Sequence, residues 1–236
     1  MQKKKLTVRS MTYMALYVAL YLVLKFVGNM IPFLRMPNGG SIELELTALF
    51  VCSYQMGWKY GIAAALLSWI VSIFSGFGLY VVHPAQILLD YIVPLAVCGG
   101  ASLFCPDRKD KKGRAMLWNI ILTLAAFLTI VFGYGRGKGT YMAAVIVSII
   151  LFGLLYVYGG KKNPYGIMIA MVLKYLSQVL SGVYFWFPEG SAAGSAAAWT
   201  FSLSYNLWYN VVTMVICVIL VPLLVETLRK ANIGKA

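Results

Sequence analysis

WTFSLSYNLWYNVVTMVICVILVPLLVE, residues 199–226, carries no charged side chain before its last residue. A helix of this length, rising about 1.5 Å per residue, exceeds the roughly 30 Å of hydrocarbon in a bilayer. Its first half is not uniformly apolar. Ser202, Tyr205, Asn206, Tyr209 and Asn210 recur at three- and four-residue steps, the spacing that lines up one face of a helix. The stretch reads as a membrane helix with a polar stripe turned away from lipid.

Comparable apolar runs fill the rest of the chain. Of 236 residues, 61% are apolar and 11% charged, against about 25% charged in a soluble domain. The runs predict spans at 11–31, 42–56, 61–82, 84–105, 116–133, 141–158, 164–185 and 199–226. The expectation is an all-α, polytopic membrane helix bundle of eight spans in a single domain, 1–236. The second span is short and reads as tilted or partly re-entrant. Turn-forming breaks separate the runs: Met36-Pro37-Asn38-Gly39-Gly40, Gly133 to Gly139, and Phe187-Pro188-Glu189-Gly190.

Charge orients the bundle. The loops on the side of the termini hold 15 basic residues, among them Lys3, Lys4, Lys5, Lys59, Arg108, Lys161 and Arg229, and the opposite loops hold Arg35, Arg136 and Lys138. Positive loops stay inside, so both termini are expected in the cytoplasm and the chain in the plasma membrane. Lys25 and Lys174 fall within spans. Lys3 to Lys5 precede a long apolar stretch without a small-x-small cleavage site, so a retained helix is expected rather than a signal peptide.

Several function classes are disfavoured. The net charge of +13 sits at the ends of apolar runs, not on one amphipathic face, which argues against nucleic acid. Cys52, Cys98, Cys105 and Cys217 lack metal or disulfide spacing. One histidine and seven acids offer little for a catalytic pair or a metal, so no enzyme, cofactor or metal is expected. No soluble nucleotide-binding segment is present, so ATP-driven transport requires a partner ATPase.

Ionisable groups inside a bilayer are costly and mark function. In the fourth span His83, Gln86 and Asp90 share a face. In the seventh, Lys174 is followed by Ser177, Gln178 and Ser181, with Trp186 just past its end. Glu43 and Glu45 stand at the start of the second span. Three polar stripes on three apolar helices imply one shared pocket at the outer face. A carboxylate among amides, hydroxyls and rings suits a small organic cation. Structural readings stand beside this one. Asp90 and Lys174 form an ion pair between helices, the Ser and Asn stripes act as interhelix glue, Trp186 and Trp199 are interfacial belt residues, and His83 is a helix cap. Ala15 and Ala19 form a small-xxx-small pair that lets another helix approach.

Four stretches, in order, resemble the thiamin-specific substrate-binding subunit (S-component) of the energy-coupling factor transporters. They are Met36-Pro37-Asn38-Gly39-Gly40-Ser41, His83 through Val93, Leu173-Lys174-Tyr175 through Ser181-Gly182, and Phe201-Ser202-Leu203 with Tyr205-Asn206. The resemblance covers residues 8–105 and 164–226, a six-helix core, and leaves 106–163 as an inserted transmembrane hairpin. It implies a subunit that binds thiamin near the outer face, while a transmembrane coupling protein and two cytoplasmic ATPase subunits drive transport. It further implies that Asp90 holds the aminopyrimidine and Trp186 stacks on the thiazolium. Lys174, Asn206 and Tyr80 fall on pocket positions, and Ala15 and Ala19 on the docking pair for the coupling protein. Gln86, Tyr205 and one of Glu45 or Glu43 are further pocket candidates. Gln178 replaces a His of some members and Phe201 a Tyr. Those changes keep open a thiamin precursor such as a hydroxymethylpyrimidine, or another vitamin. A non-catalytic membrane scaffold is the alternative of another class.

Overall fold

The computed structural model describes residues 7–36, 39–77, 80–104 and 165–231, with scattered helical positions between 120 and 153. Apart from those positions, the spans expected at 116–133 and 141–158, and the hairpin 106–163, lie outside the described residues. Every long element among the described residues is helical: α1 Val8–Met30, α2 Leu46–Met56, α3 Trp58–Phe74, α4 Pro84–Gly99, α5 Tyr165–Phe185 and α6 Ala196–Lys230. Of these, α1, α5 and α6 are long and apolar enough to cross a membrane, and α2, α3 and α4 are shorter.

Local chemistry sets the ends. Thr7 and Ser10 form a reciprocal capping box at the start of α1. Pro32 disfavours helical backbone at the residue before it, and Ile31 is extended (φ −103°, ψ 103°), so α1 stops there. Gly57 separates α2 from α3 at φ 99°, a conformation that glycine adopts without Cβ strain. Ser195 caps α6 through its hydroxyl.

Two expected spans are shortened. The second, 42–56, becomes helical only at Leu46, because Ile42–Glu45 turn inward. Ile42 N–H donates to Leu34 O and Glu43 N–H to Thr213 Oγ1 on α6. The third, 61–82, ends at Phe74, where Ser75 Oγ turns back onto Val71 O. With 11 residues, α2 is only about 16 Å long, half the hydrocarbon thickness. It survives as the central helix: Leu46 through Ser53 are all buried, against α1, α3, α4 and α6.

Leu46, Leu49 and Phe50 of α2 share one buried core with Met168 and Met171 of α5 and Val218 of α6. Lipid tails are as apolar as these side chains, so close packing holds the helices together rather than escape from water. Small residues provide the approach. Gly61 and Gly99 face one another across α3 and α4, where a Cβ on either meets the other's carbonyl oxygen. Gly182 of α5 receives Ser202 of α6 in the same way. α1 is peripheral, with 17% of its most apolar stretch buried against 61% for α5. Ala15 and Ala19 both lie on its exposed side.

Candidate functional site

The polar stripes of α4, α5 and α6 do meet, at the end of the bundle that carries the α1–α2, α3–α4 and α5–α6 connections. Their deepest member is Lys174, 1% exposed. Its ammonium has three protons to donate and three acceptors in reach: Glu43 Oε2 at 2.5 Å, Asn210 Oδ1 at 2.8 Å and Gln178 Oε1 at 3.0 Å. The charge also lies 5.5 Å from the centre of the Tyr209 ring, a cation–π distance. Asn210 Nδ2 donates to the same Gln178 Oε1 at 2.8 Å. Higher on α6, Tyr209 OH donates to Asn206 Oδ1 at 2.5 Å, and Asn206 Nδ2 donates to Ser202 Oγ at 3.1 Å. Ser202 Oγ in turn donates to Val179 O on α5 at 2.8 Å.

This arrangement corrects one expectation. Lys174 pairs with Glu43, not with Asp90, and its donors are spent. The register of the two glutamates, left open by sequence, is also resolved for Lys174: Glu43 is its partner, while Glu45 precedes the first turn of α2 and is 7% exposed. Asp90 has no ion pair among the described residues. Its carboxyl faces the side chains of Ser181, Gln86 and Trp186. Three carboxylates, Glu43, Glu45 and Asp90, therefore stand near one buried ammonium. Lys25 of α1 lies over the rings of Tyr21 and Phe77, 5.6 Å from each centre.

Asp90 reaches this place on an irregular helix. His83 caps α4 by accepting from Ala85 N–H at 3.1 Å, and Pro84 occupies the first turn. Residues Ile87–Ile92 then form a π-helical turn, a geometry frequent at functional sites. The sequence signal for it is Pro94, a proline in the interior of an apolar run.

The rim is aromatic and open. Tyr80 and Trp186 lie 5.3 Å apart with planes tilted by 40°, and Trp186 is 37% exposed. His83 stacks on Phe185 at 5.3 Å. Tyr205 stacks on Phe201 and meets Tyr209 edge-on, and its hydroxyl accepts Gly40 N–H at 3.1 Å. Gly40 leaves no room there, since a Cβ would lie 2.7 Å from Tyr209 Cε1.

Two expected pocket residues have other duties. Gln86, 1% exposed, accepts from Val82 N–H at 2.8 Å and donates to Tyr80 O at 3.2 Å, holding residues 80–82 before α4 in place. Gln178 spends its oxygen inside the lysine network. Ser202 acts as interhelix glue. A half-open cavity of about 440 Å³ lies beside the site, under the α1–α2 loop, lined by Asn29, Arg35, Gly40 and Ser41 among others. Neither Asp90 nor Trp186 lines it, and Gly40 is where it adjoins Tyr205 and Tyr209.

Comparison with known proteins returns one theme. The family described as Thiamine transporter protein (Thia_YuaJ) matches residues 11–161 and 160–233. The Thiamine transporter ThiT of Bacillus subtilis (strain 168) is 31% identical over 139 residues, which is 59% of this chain and 68% of that protein. A solved structure of ThiT from Listeria monocytogenes superposes with a TM-score of 0.58 at 18% identity, covering 95% of this chain and 97% of that one. At that identity the likeness speaks for the fold.

Proposed function

We infer, from the premise that this chain belongs to the thiamine transporter family, that it binds thiamin as the substrate-binding component of a vitamin importer. It is a transport protein and not an enzyme, and thiamin is its cargo rather than a cofactor.

One observation supports a specific site. The buried ammonium of Lys174 is engaged by Glu43, Gln178 and Asn210, so Asp90 keeps a carboxylate with no ion pair among the described residues beside an open aromatic pair. A thiamin cation brings an aminopyrimidine whose N–H groups suit a carboxylate and a thiazolium whose charge suits ring faces. In our reading Asp90 takes the aminopyrimidine. Trp186 and Tyr80 take the thiazolium, and Asn206 and Tyr205 border the ligand. Lys174, Gln178, Gln86 and Glu45 shape the site from behind.

The wider assembly follows from the same family reading. Six helices form the core, 106–163 adds a transmembrane hairpin for eight spans in one domain, and both termini face the cytoplasm of a plasma-membrane protein. The exposed Ala15 and Ala19 are the docking pair for a transmembrane coupling protein, which two ATPase subunits drive.

The test is a titration of the detergent-purified chain with thiamin, following intrinsic tryptophan fluorescence. Saturable quenching at submicromolar thiamin is expected, and most of it should vanish in Trp186→Phe. Calorimetry that finds no thiamin binding to a folded sample would overturn the ligand, and a hydroxymethylpyrimidine would be titrated next. Binding with quenching unchanged in Trp186→Phe would overturn the place given to the ring.

A further inference from the structure

Pro94 and Ser177 stand far apart in the sequence, yet the geometry of α4 connects them. In a regular α-helix the carbonyl of Leu89 accepts the N–H of Val93. Here Val93 N–H donates instead to Leu88 O, five residues back, as in a π-helix. In that register the donor due to Leu89 O is residue 94, and Pro94 has no N–H. Both regular backbone donors for this carbonyl are gone. A carbonyl so placed inside a helix bundle needs another partner. It has one: Ser177 Oγ, on α5, donates to Leu89 O at 2.7 Å.

The carbonyl of Leu89 belongs to the peptide unit whose nitrogen is that of Asp90. Ser177 therefore grips the backbone at the residue that bears the candidate ligand carboxylate. It does so from the helix that carries Lys174, Gln178 and Ser181, and its own side chain is buried at 6% exposure. The bond sets the height and rotation of Asp90 against α5, while Pro94 keeps α4 from closing into a regular helix that would satisfy Leu89 O without α5.

We propose that Ser177 and Pro94 are a positioning pair: the π turn and its missing donor make the aim of Asp90 depend on a hydroxyl of the neighbouring helix. This rests on Asp90 binding the ligand, as proposed above. Ser177 itself does not touch thiamin in this account. Its effect on affinity must run through Asp90, and a double-mutant cycle can isolate that coupling.

The experiment measures thiamin affinity by calorimetry in Ser177→Ala, Ser177→Thr, Asp90→Asn and the double variant Ser177→Ala/Asp90→Asn, with melting temperatures of the ligand-free proteins. Losing one hydrogen bond of this kind corresponds to about a tenfold change. Ser177→Ala is expected to weaken binding by about that factor, and Ser177→Thr, which keeps the hydroxyl, to restore most of it. In the Asp90→Asn background Ser177→Ala should cost little more. An equal loss in both backgrounds, or no loss at all, overturns the proposal. Should Ser177→Ala fail to fold, Ser177→Cys, with a weaker donor of similar size, replaces it and is expected to fall between Ala and wild type. A normal affinity in Asp90→Asn would instead strike down the binding-site reading, which keeps the two failures apart.

Discussion

The inner and outer halves of the polar site are built on opposite plans. Around Lys174 the ammonium meets an acid and two amide oxygens, and the Lys174–Asn210 bond at its centre is buried between α5 and α6. At the rim, Asp90 has no ion pair among the described residues, Tyr80 is 68% exposed and Trp186 is 37% exposed. A closed network in a low-dielectric interior specifies one arrangement of helices. An open carboxylate beside exposed rings has interactions left to make. Residue type alone does not separate the halves, since each contains an acid, an amide and aromatic rings.

The sharpest way to break this contrast is Lys174→Met. It strands the Glu43 carboxylate and two amide acceptors in the interior. Removing one member of a buried pair costs about 3–5 kcal/mol, and the 22% exposure of Glu43 places the expectation near the low end, about 3 kcal/mol. The melting temperature of the ligand-free protein should fall strongly, and adding Glu43→Leu should recover much of it. An unchanged melting temperature would show that the inner network does not hold the bundle.

Asp90→Asn probes the other half. A hydrogen bond to a charged group contributes about 1.5–3 kcal/mol, so thiamin affinity should drop by about 10- to 100-fold. Ligand-free stability should hardly move, because no inner-network bond involves Asp90. A stability loss like that of Lys174→Met, with affinity kept, would reverse the two roles. The smallest effect is expected at the seam. Tyr205→Phe removes the acceptor of Gly40 N–H and keeps the ring stack on Phe201. About 1 kcal/mol of stability should go with that bond, together with a few-fold loss of affinity if the α1–α2 loop borders the ligand.

Legibility in the sequence followed the range of the interactions. The stripe Ser202, Tyr205, Asn206, Tyr209 and Asn210 was visible because helical periodicity is local, whereas its contact with α5 came from the fold. The partner of Lys174 was not visible. The sequence reading paired Lys174 only with Asp90, and the pairing with Glu43 depends on Ile42–Glu45 turning inward, with Glu43 N–H bonded to Thr213. Gln86 illustrates the limit from the other side. Its four-residue spacing from Asp90 is correct, yet a helical face can hold its own N-terminal segment as readily as it lines a pocket.

The sequence by itself determined that this is an apolar helical protein of the membrane, where α1, α5 and α6 run, and which side chains are too polar to face lipid. Those are properties of composition and of a 3.6-residue period, both contained within single segments. Only the tertiary structure decided that α2 is a half-length central helix, that Lys174 answers Glu43 rather than Asp90, and that Ser177 completes a hydrogen bond that Pro94 withholds. Each of these depends on atoms brought together from distant parts of the chain, and a local pattern carries no information about which of several chemically suitable partners will arrive.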